Sequence, residues 1–214
     1  AAASSIQRAL GISHEESRRR SYLIAHRVER IRSTGLGDIT ALSAGGVERR
    51  IIAGSPYNGI ALESGPGKAE GWFQEIPIIL AWKSDTGRHT SNYIDNLEWK
   101  RMINFSGKEE MHVIGNGEWD NTRWPDLINS AEKFVMNSKL IMDSKRDDLL
   151  SECNQIIEEC GLEENSIPLL CMLGQSIAIV PKNIHLIKNN EHKISDGLRK
   201  KGFQTIITSL SPNS

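Results

Sequence analysis

The sequence has few cysteines and lacks any long apolar run. Only three of its 214 residues are cysteine, namely Cys153, Cys160 and Cys171, and no two of them form a Cys-x-x-Cys pair. An odd number of unpaired cysteines favours buried thiols in a reducing compartment over a disulfide framework. No stretch of 18 apolar residues occurs, so we expect no transmembrane helix and no membrane partner.

The sequence also lacks an excess of charge of one sign and the common metal-binding spacings. Its formal net charge is −1, and its 25% charged and 38% hydrophobic residues are the proportions of an ordinary globular domain. The six histidines show neither HxxxH nor HExxH spacing, so we predict no metal site. The segment 62–69, LESGPGKA, imitates a phosphate-binding P-loop. We reject that motif because Leu62 and Ala69 stand where it needs glycine and a hydroxyl residue.

Apolar periodicity divides the chain into alternating helices and strands. We expect helices at 14–32, 92–104, 126–138, 144–161 and 191–201, and strands at 39–44, 49–54, 110–115, 139–143, 176–182 and 203–210. Residues 76–82 are apolar throughout and fit either type. Such alternation predicts an α/β fold with an open, mostly parallel sheet and helices on both faces. We expect one domain, with a basic helical segment over 1–34 and an α/β core over 35–214.

The ends of the predicted strands and the first long helix carry the candidate binding residues. Ligands of an open parallel sheet bind at the carboxyl ends of its strands, which directs attention to 43–46, Asp143 and Lys182. The helix 14–32 should be capped by Ser13 with Glu16, and should end at Gly35. Its arginines pair well with phosphate, so they indicate either a polyanion site or a solvated helix face.

Four segments that follow one another along the chain carry a family resemblance. They are ALGISHEESRRRSYLIAHR (9–27), ALSAGGVERRIIAGSPYNGIALESG (41–65), RWPDLINSAEKFV (123–135) and the set KLIMDSK, SIAIVPKN and GLRKKGFQTIITSLSPNS. In this order they resemble the methyltransferase domain of the large (L) polymerase protein of nonsegmented negative-strand RNA viruses, most closely the rhabdovirus type. The resemblance implies a class I, Rossmann-like methyltransferase that uses S-adenosylmethionine.

The same resemblance implies a catalytic set of Lys, Asp, Lys and Glu. Asp143 and Lys182 take its second and third places, and Arg20 stands at the first. Arginine stays protonated, so Arg20 would bind or polarise the substrate. A partly desolvated lysine in a cation-rich site has a lowered pKa and can accept a ribose proton. The fourth residue would lie beyond Ser214, so the chain is either truncated before it or degenerate. The alternative is that Asp143 caps the helix 144–161 and Lys182 is a surface lysine.

The resemblance also implies binding residues for the cofactor and for RNA. It places S-adenosylmethionine in a reduced glycine loop made of Ser43, Ala44, Gly45 and Gly46. Asp126 would lie beside the cofactor nucleoside, or else is an acid in the first turn of a helix, where the macrodipole favours it. The residues expected to hold RNA are Arg18, Arg19 and Arg27.

Three functional hypotheses follow from the sequence. The first is an mRNA cap methyltransferase domain, active or degenerate, that modifies the ribose 2′-oxygen and guanine-N7. It would bind the capped 5′ end of RNA and other domains of a viral polymerase, in the virion and in the host cytoplasm or nucleus. The second is a non-catalytic α/β module that binds RNA or a polymerase through the helix 14–32. The third is an unrelated α/β enzyme that acts on a phosphorylated small molecule.

Overall fold

The computed structural model describes residues 2–32, 37–59, 61–84, 93, 95–171, 175–186 and 190–210. The chain divides into two compact units, one that ends at Trp72 and one that begins at Phe73. The predicted boundary at 34/35 and the predicted helix end at Gly35 lie outside the described residues, and the single predicted domain stays a prediction. None of the helices that the structure describes is long and apolar enough to cross a membrane.

The first unit consists of three helices and two small antiparallel ribbons. The helices are α1 (Ala2–Ala9), α2 (His14–Arg32) and α3 (Asp38–Ala44), and the strand pairs are β1 (Val47–Ile52) with β4 (Lys68–Trp72) and β2 (Tyr57–Asn58) with β3 (Glu63–Ser64). The helix predicted at 14–32 is therefore confirmed. Its predicted cap is present as well, because the backbone N–H of Glu16 donates to Ser13 Oγ at 3.3 Å.

The strand predicted at 39–44 is wrong, because these residues form α3. Residues 39–44 mix Thr and Ser with apolar residues, and a run of six is too short for its hydrophobic periodicity to distinguish a helix from a strand. The carboxyl of Glu29, from α2, is buried, which raises its pKa, and the nearby backbone N–H groups of Ile39 and Asp38, at the start of α3, lower that pKa in part. This side chain therefore lies at the positive end of the α3 dipole. The contact comes from another element, and Leu42 on α3 is 72% exposed, so no local apolar pattern indicates the helix.

The second unit is built on a four-stranded sheet in the order β6-β7-β5-β8. Its strands are β5 (Ile76–Trp82), β6 (Ser166–Leu170), β7 (Ser176–Pro181) and β8 (Gln204–Leu210), and its helices are α4 (Leu97–Ile114), α5 (Trp124–Asn137), α6 (Ser144–Glu159) and α7 (Glu191–Lys200). Every neighbouring pair is antiparallel. The mixed α/β class is confirmed, whereas the open, mostly parallel, Rossmann-like sheet is wrong.

The position of β5 explains why alternation misled the topology prediction. The helix α7 connects β7 to β8, and these two strands do run in the same direction, since each is antiparallel to β5. They are not neighbours, however, because β5 lies between them. A crossover helix makes a parallel pair only when the two strands that it joins lie side by side.

In the second unit, two further strand predictions are wrong and one strand was missed; the strands β2, β3 and β4 of the first unit were not predicted either. Residues 110–114 form the last turn of α4 and Gly115 is its C-cap, and 139–143 contain a 3₁₀ turn, Leu140–Met142. The left-handed backbone of Lys139, with φ of 58°, reverses the chain there and prevents an extended strand. The missed strand is β6, which contains Pro168, a residue that argues against a strand.

The core of the second unit lies where α6 and α7 pack on the sheet. It is made of Ile79, Ala81, Leu149, Cys153, Ile156, Ile157, Leu162, Ile177, Ile179, Ile194, Leu198 and Phe203. Leu149, Cys153, Ile156 and Ile157, which supply the apolar periodicity of the helix predicted at 144–161, are therefore on its buried face. Gly161 and Gly202, both with positive φ, follow the ends of the two helices, where glycine is favoured.

Candidate functional site

A cleft with two cavities of about 300 Å³ each lies beside the end of β7. Glu132, Ile167 and Lys182 line both cavities, and we call the whole the Lys182 cleft. The first cavity has an apolar floor and a polar rim that includes Asn154, Glu158, Glu163 and Ser166. The second cavity adds Pro125, Ile128 and Asn129 from the first turns of α5. A concave site with an apolar floor and a few polar groups is the usual form of a small-molecule site.

Backbone bonds fix the chain at Lys182. The backbone N–H of Lys182 donates to the carbonyl oxygen of Asn165 at 2.9 Å, which continues the pairing of β7 with β6. The indole Nε1–H of the buried Trp124 donates to the carbonyl oxygen of Pro181 at 2.8 Å. These bonds tie the end of β7 both to β6 and to the start of α5, so Lys182 is held beside the positive end of the α5 dipole.

Among the described residues that line the Lys182 cleft, Lys182 is the only cation. Arg123 lies just before α5, but its guanidinium is engaged elsewhere. Its Nε donates to Asp126 Oδ2 at 2.6 Å, and its terminal nitrogens donate to the carbonyl oxygens of Asn116 and Val113 at 2.7 and 2.9 Å. Asp126 is thus an ion-paired acid in the first turn of α5, and its predicted place beside a cofactor nucleoside stays a prediction.

The predicted catalytic residues are divided between the two units. Arg20 belongs to the first unit, where its Nε donates to Glu16 Oε1 at 2.7 Å. Asp143 and Lys182 belong to the second unit, but Asp143 is not among the described residues that line the Lys182 cleft. Lys182 is therefore the one member of the predicted set that lies in this cleft.

Asp143 has a structural position at the start of α6. Its carboxylate accepts the backbone N–H of Lys145 at 3.3 Å and the hydroxyl of Tyr93 at 2.7 Å. Burial, and next the hydrogen bond to Asp143, raise the pKa of Tyr93 above its ordinary value. The guanidinium carbon of the buried Arg146 lies 4.7 Å from the centre of the Tyr93 ring. This cluster orders the start of the helix, as the predicted alternative of a capping role requires.

The predicted cofactor loop follows a helix, not a strand. Ser43 and Ala44 are the last residues of α3, and Gly45 and Gly46, with φ of 77° and 62°, lead into β1. The carbonyl oxygen of Ser43 accepts Arg18 Nη2 at 2.5 Å. The carbonyl oxygen of Gly45 lies so close to Gly71 that a Cβ there would be 2.0 Å away. The segment is a helix end packed on β4, and S-adenosylmethionine as cofactor stays a prediction.

The arginines predicted to bind RNA lie on α2 in different surroundings. Arg18 bonds to the end of α3, as described above. Arg19 pairs with Glu15 one turn earlier, and its guanidinium lies 6.0 Å from the centre of the Tyr57 ring. Arg27 is exposed. The capped RNA end and the polymerase domains stay predictions as partners.

Comparison with known proteins gives one informative result. No family model matches the chain, and no curated protein matches it. A solved structure titled "Phosphotransferase related to CoA biosynthesis pathway" matches 99% of the chain, with a TM-score of 0.67 and 17% sequence identity. The chain shares that fold. It spans 59% of the length of that structure.

The function predicted from the sequence, that of a viral mRNA cap methyltransferase, is therefore wrong. That function depended on a class I fold, with a parallel sheet and a glycine loop at the end of a strand. The observed sheet is antiparallel, and the glycine loop follows α3. The structure that shares this fold is titled a phosphotransferase, not a methyltransferase.

Sequence reasoning selected Lys182 as a candidate site residue, but it did not select the residues that surround Lys182 in the cleft. Glu132 lies one turn after Ile128 on α5, so the two side chains share a helix face, and that spacing was the available signal. The β6 residue Ile167 had no such signal, because Pro168 follows it. The described residues contain no group of three or more His, Cys, Asp or Glu side chains that could hold a metal ion.

Proposed function

We propose that this protein is a phosphotransferase that holds a phosphate group of its substrate at Lys182. The observation that carries the proposal is the position of Lys182. It lines both cavities of the cleft and is the only cation among the described residues that do so. Its backbone is fixed by a hydrogen bond at the end of β7. Lysine binds phosphate as a compact point charge. The fold likeness to a solved phosphotransferase supports the same class of reaction.

The cleft supplies the groups that phosphoryl transfer needs. This reaction depends on positioning and on neutralising the charge of the transferred group. Lys182 and the positive end of α5 neutralise that charge, and Glu132, which lines both cavities, accepts the proton of the attacking hydroxyl. The acceptor oxygen forms the new bond to phosphorus, and the bond from phosphorus to the leaving oxygen of the donor breaks. Ile167, which is buried and lines both cavities, provides an apolar surface beside these groups.

Calorimetry with inorganic phosphate and with ATP plus Mg²⁺ tests the phosphate site. We expect Lys182→Met to weaken the binding of both probes about tenfold or more, which corresponds to about 1.4 kcal/mol. The matched control is Lys200→Met, which removes the same charge from an exposed position on α7 and should leave both affinities unchanged. If neither probe binds at millimolar concentration, or if Lys182→Met binds them as the wild type does, the proposal fails.

The role of Glu132 has its own measurement. In a screen of small hydroxyl acceptors with radiolabelled ATP, Glu132→Gln should reduce phosphoryl transfer at least about a hundredfold, the lower end of the usual range for losing a general base. Its affinity for inorganic phosphate should stay within about twofold of the wild type, because the lysine remains.

A further inference from the structure

The two cavities of the Lys182 cleft differ in charge. Glu158 and Glu163 line the first cavity and not the second. The second cavity instead adds Pro125 and Asn129, at the positive end of α5. Lys182 and Glu132 line both. The cleft is therefore acidic toward the first cavity and more positive toward the second.

The backbone brings the acidic end close to the lysine. Asn165, whose carbonyl oxygen accepts the backbone N–H of Lys182, is two residues beyond Glu163, a chain distance of at most about 7 Å. The connection from α6 to β6 is itself fixed, because the N–H groups of Asn165 and Ser166 both donate to the carbonyl oxygen of Leu162 at 2.9 Å. The backbone of Glu163 thus lies near that of Lys182, and both residues line the first cavity.

The acidic end suits an organic cation better than a metal ion. The described residues offer no group of three or more carboxylate, imidazole or thiol side chains placed to hold a metal. The floor of the first cavity is instead apolar, with Leu150, Ile157 and Leu169. An ammonium group on a short carbon chain would place its methylenes on this floor and its charge at the glutamates, in the manner of a lysine side chain.

We infer that the substrate held at Lys182 is a phosphorylated amine, with its phosphate at the lysine and its ammonium group at Glu158 and Glu163. The inference rests on the proposed function, since it takes the phosphate site at Lys182 as given. The acceptor would then be an amino alcohol and the product its phosphomonoester. The cleft would bind both more tightly than analogues that lack the ammonium group.

Two series of probes of equal length test the inference by calorimetry. They are aminoalkyl phosphates with two to five carbons and alkyl phosphates in which a methyl group replaces the ammonium group. In the wild type we expect the best aminoalkyl phosphate to bind at least about fivefold more tightly than its alkyl counterpart, the scale of two exposed ion pairs. The double variant Glu158→Gln/Glu163→Gln should reduce this preference to less than about twofold, without weakening the alkyl series.

A matched control and separate outcomes keep the inference distinct from the proposed function. Glu164→Gln removes a carboxylate from the same connection, at an exposed position that does not line the cavities, and should keep the preference. If the wild type shows no preference for amines while Lys182→Met still weakens both series, this inference is wrong and the proposed function stands. If neither series binds, or if Lys182→Met binds both as the wild type does, the proposed function fails and the inference fails with it.

Discussion

At the scale of single residues, Asp143 shows how one side chain fits two different roles in a sequence. An acid before a helix fits both a catalytic position after a strand and the N-cap of the helix. The hydrogen bonds decide for the cap, since the carboxylate accepts the N–H of Lys145 and the hydroxyl of Tyr93. Lys182 shows the opposite outcome, because its neighbours Glu132 and Ile167 place it in a cleft.

The capping role of Asp143 gives a prediction for stability. Asp143→Ala removes the cap of α6 and leaves the hydroxyl of Tyr93 without its acceptor. It should lower the free energy of unfolding by about 1–3 kcal/mol, measured by urea denaturation. Asp143→Asn is the matched variant, because its amide oxygen can still cap the helix, and it should cost less than about 1 kcal/mol. Equal losses in the two variants would contradict the capping role.

At the scale of elements, local signals predicted those helices whose ends are marked in the sequence. Ser13 before α2, Pro125 at the start of α5 and Gly161 after α6 each mark an end, and those three helices are found close to their predicted bounds. The failures have distant causes. The start of α3 lies beside the Glu29 carboxyl of another helix, and the left-handed backbone of Lys139 ends a segment whose sequence resembles a strand.

The same difference between local signals and distant contacts applies to the candidate site. Lys182 could be found because it ends an apolar strand, which is a local pattern. That Glu132 and Glu158 share a cavity with it could not be predicted, because they come together only after α5, α6 and β6 have packed. No spacing along the chain encodes that meeting.

In the segment 62–69, which imitates a P-loop, the glycines allow two parts of the backbone to pack closely together. The N–H groups of Gly65 and Gly67 donate to the carbonyl oxygens of Pro56 and Ser55 at 2.8 and 3.0 Å. These donors hold the chain between β3 and β4, so they are not directed at a phosphate. A Cβ on Gly67 would lie 2.0 Å from the carbonyl oxygen of Gly54, a distance that no packed structure allows.

Replacing that glycine should therefore damage the first unit. Gly67→Ala forces two backbone segments apart and should lower the free energy of unfolding by at least about 2 kcal/mol, measured by thermal and urea denaturation. Gly59→Ala is the matched control, since a Cβ there meets no atom within 4 Å and only the φ of +65° is strained. That strain costs about 1 kcal/mol. A smaller effect for Gly67→Ala than for Gly59→Ala would show that the close approach is absent.

At the scale of the whole molecule, the division into two units separates the sources of stability. The buried cluster of α6, α7 and the sheet lies entirely in the second unit. The first unit depends on other groups, such as the buried Tyr22, whose hydroxyl lies 3.0 Å from Thr40 Oγ1, and Arg49, which pairs with Glu70. Each unit therefore has its own internal contacts, and damage to one core need not reach the other.

Leu198→Ala tests that separation, because Leu198 is fully buried in the cluster of the second unit. The cavity should lower the free energy of unfolding of that unit by about 2–5 kcal/mol. Amide hydrogen exchange should show the loss in β5 and β7, while β1 and β4 keep their protection. The control Leu97→Ala makes the same change at a position that is 72% exposed and should cost less than about 0.5 kcal/mol. Equal loss of protection in β1 and β5 would mean that the two units unfold together and would contradict this prediction. In a cooperative unit, a cavity lowers the free energy of unfolding of every strand alike.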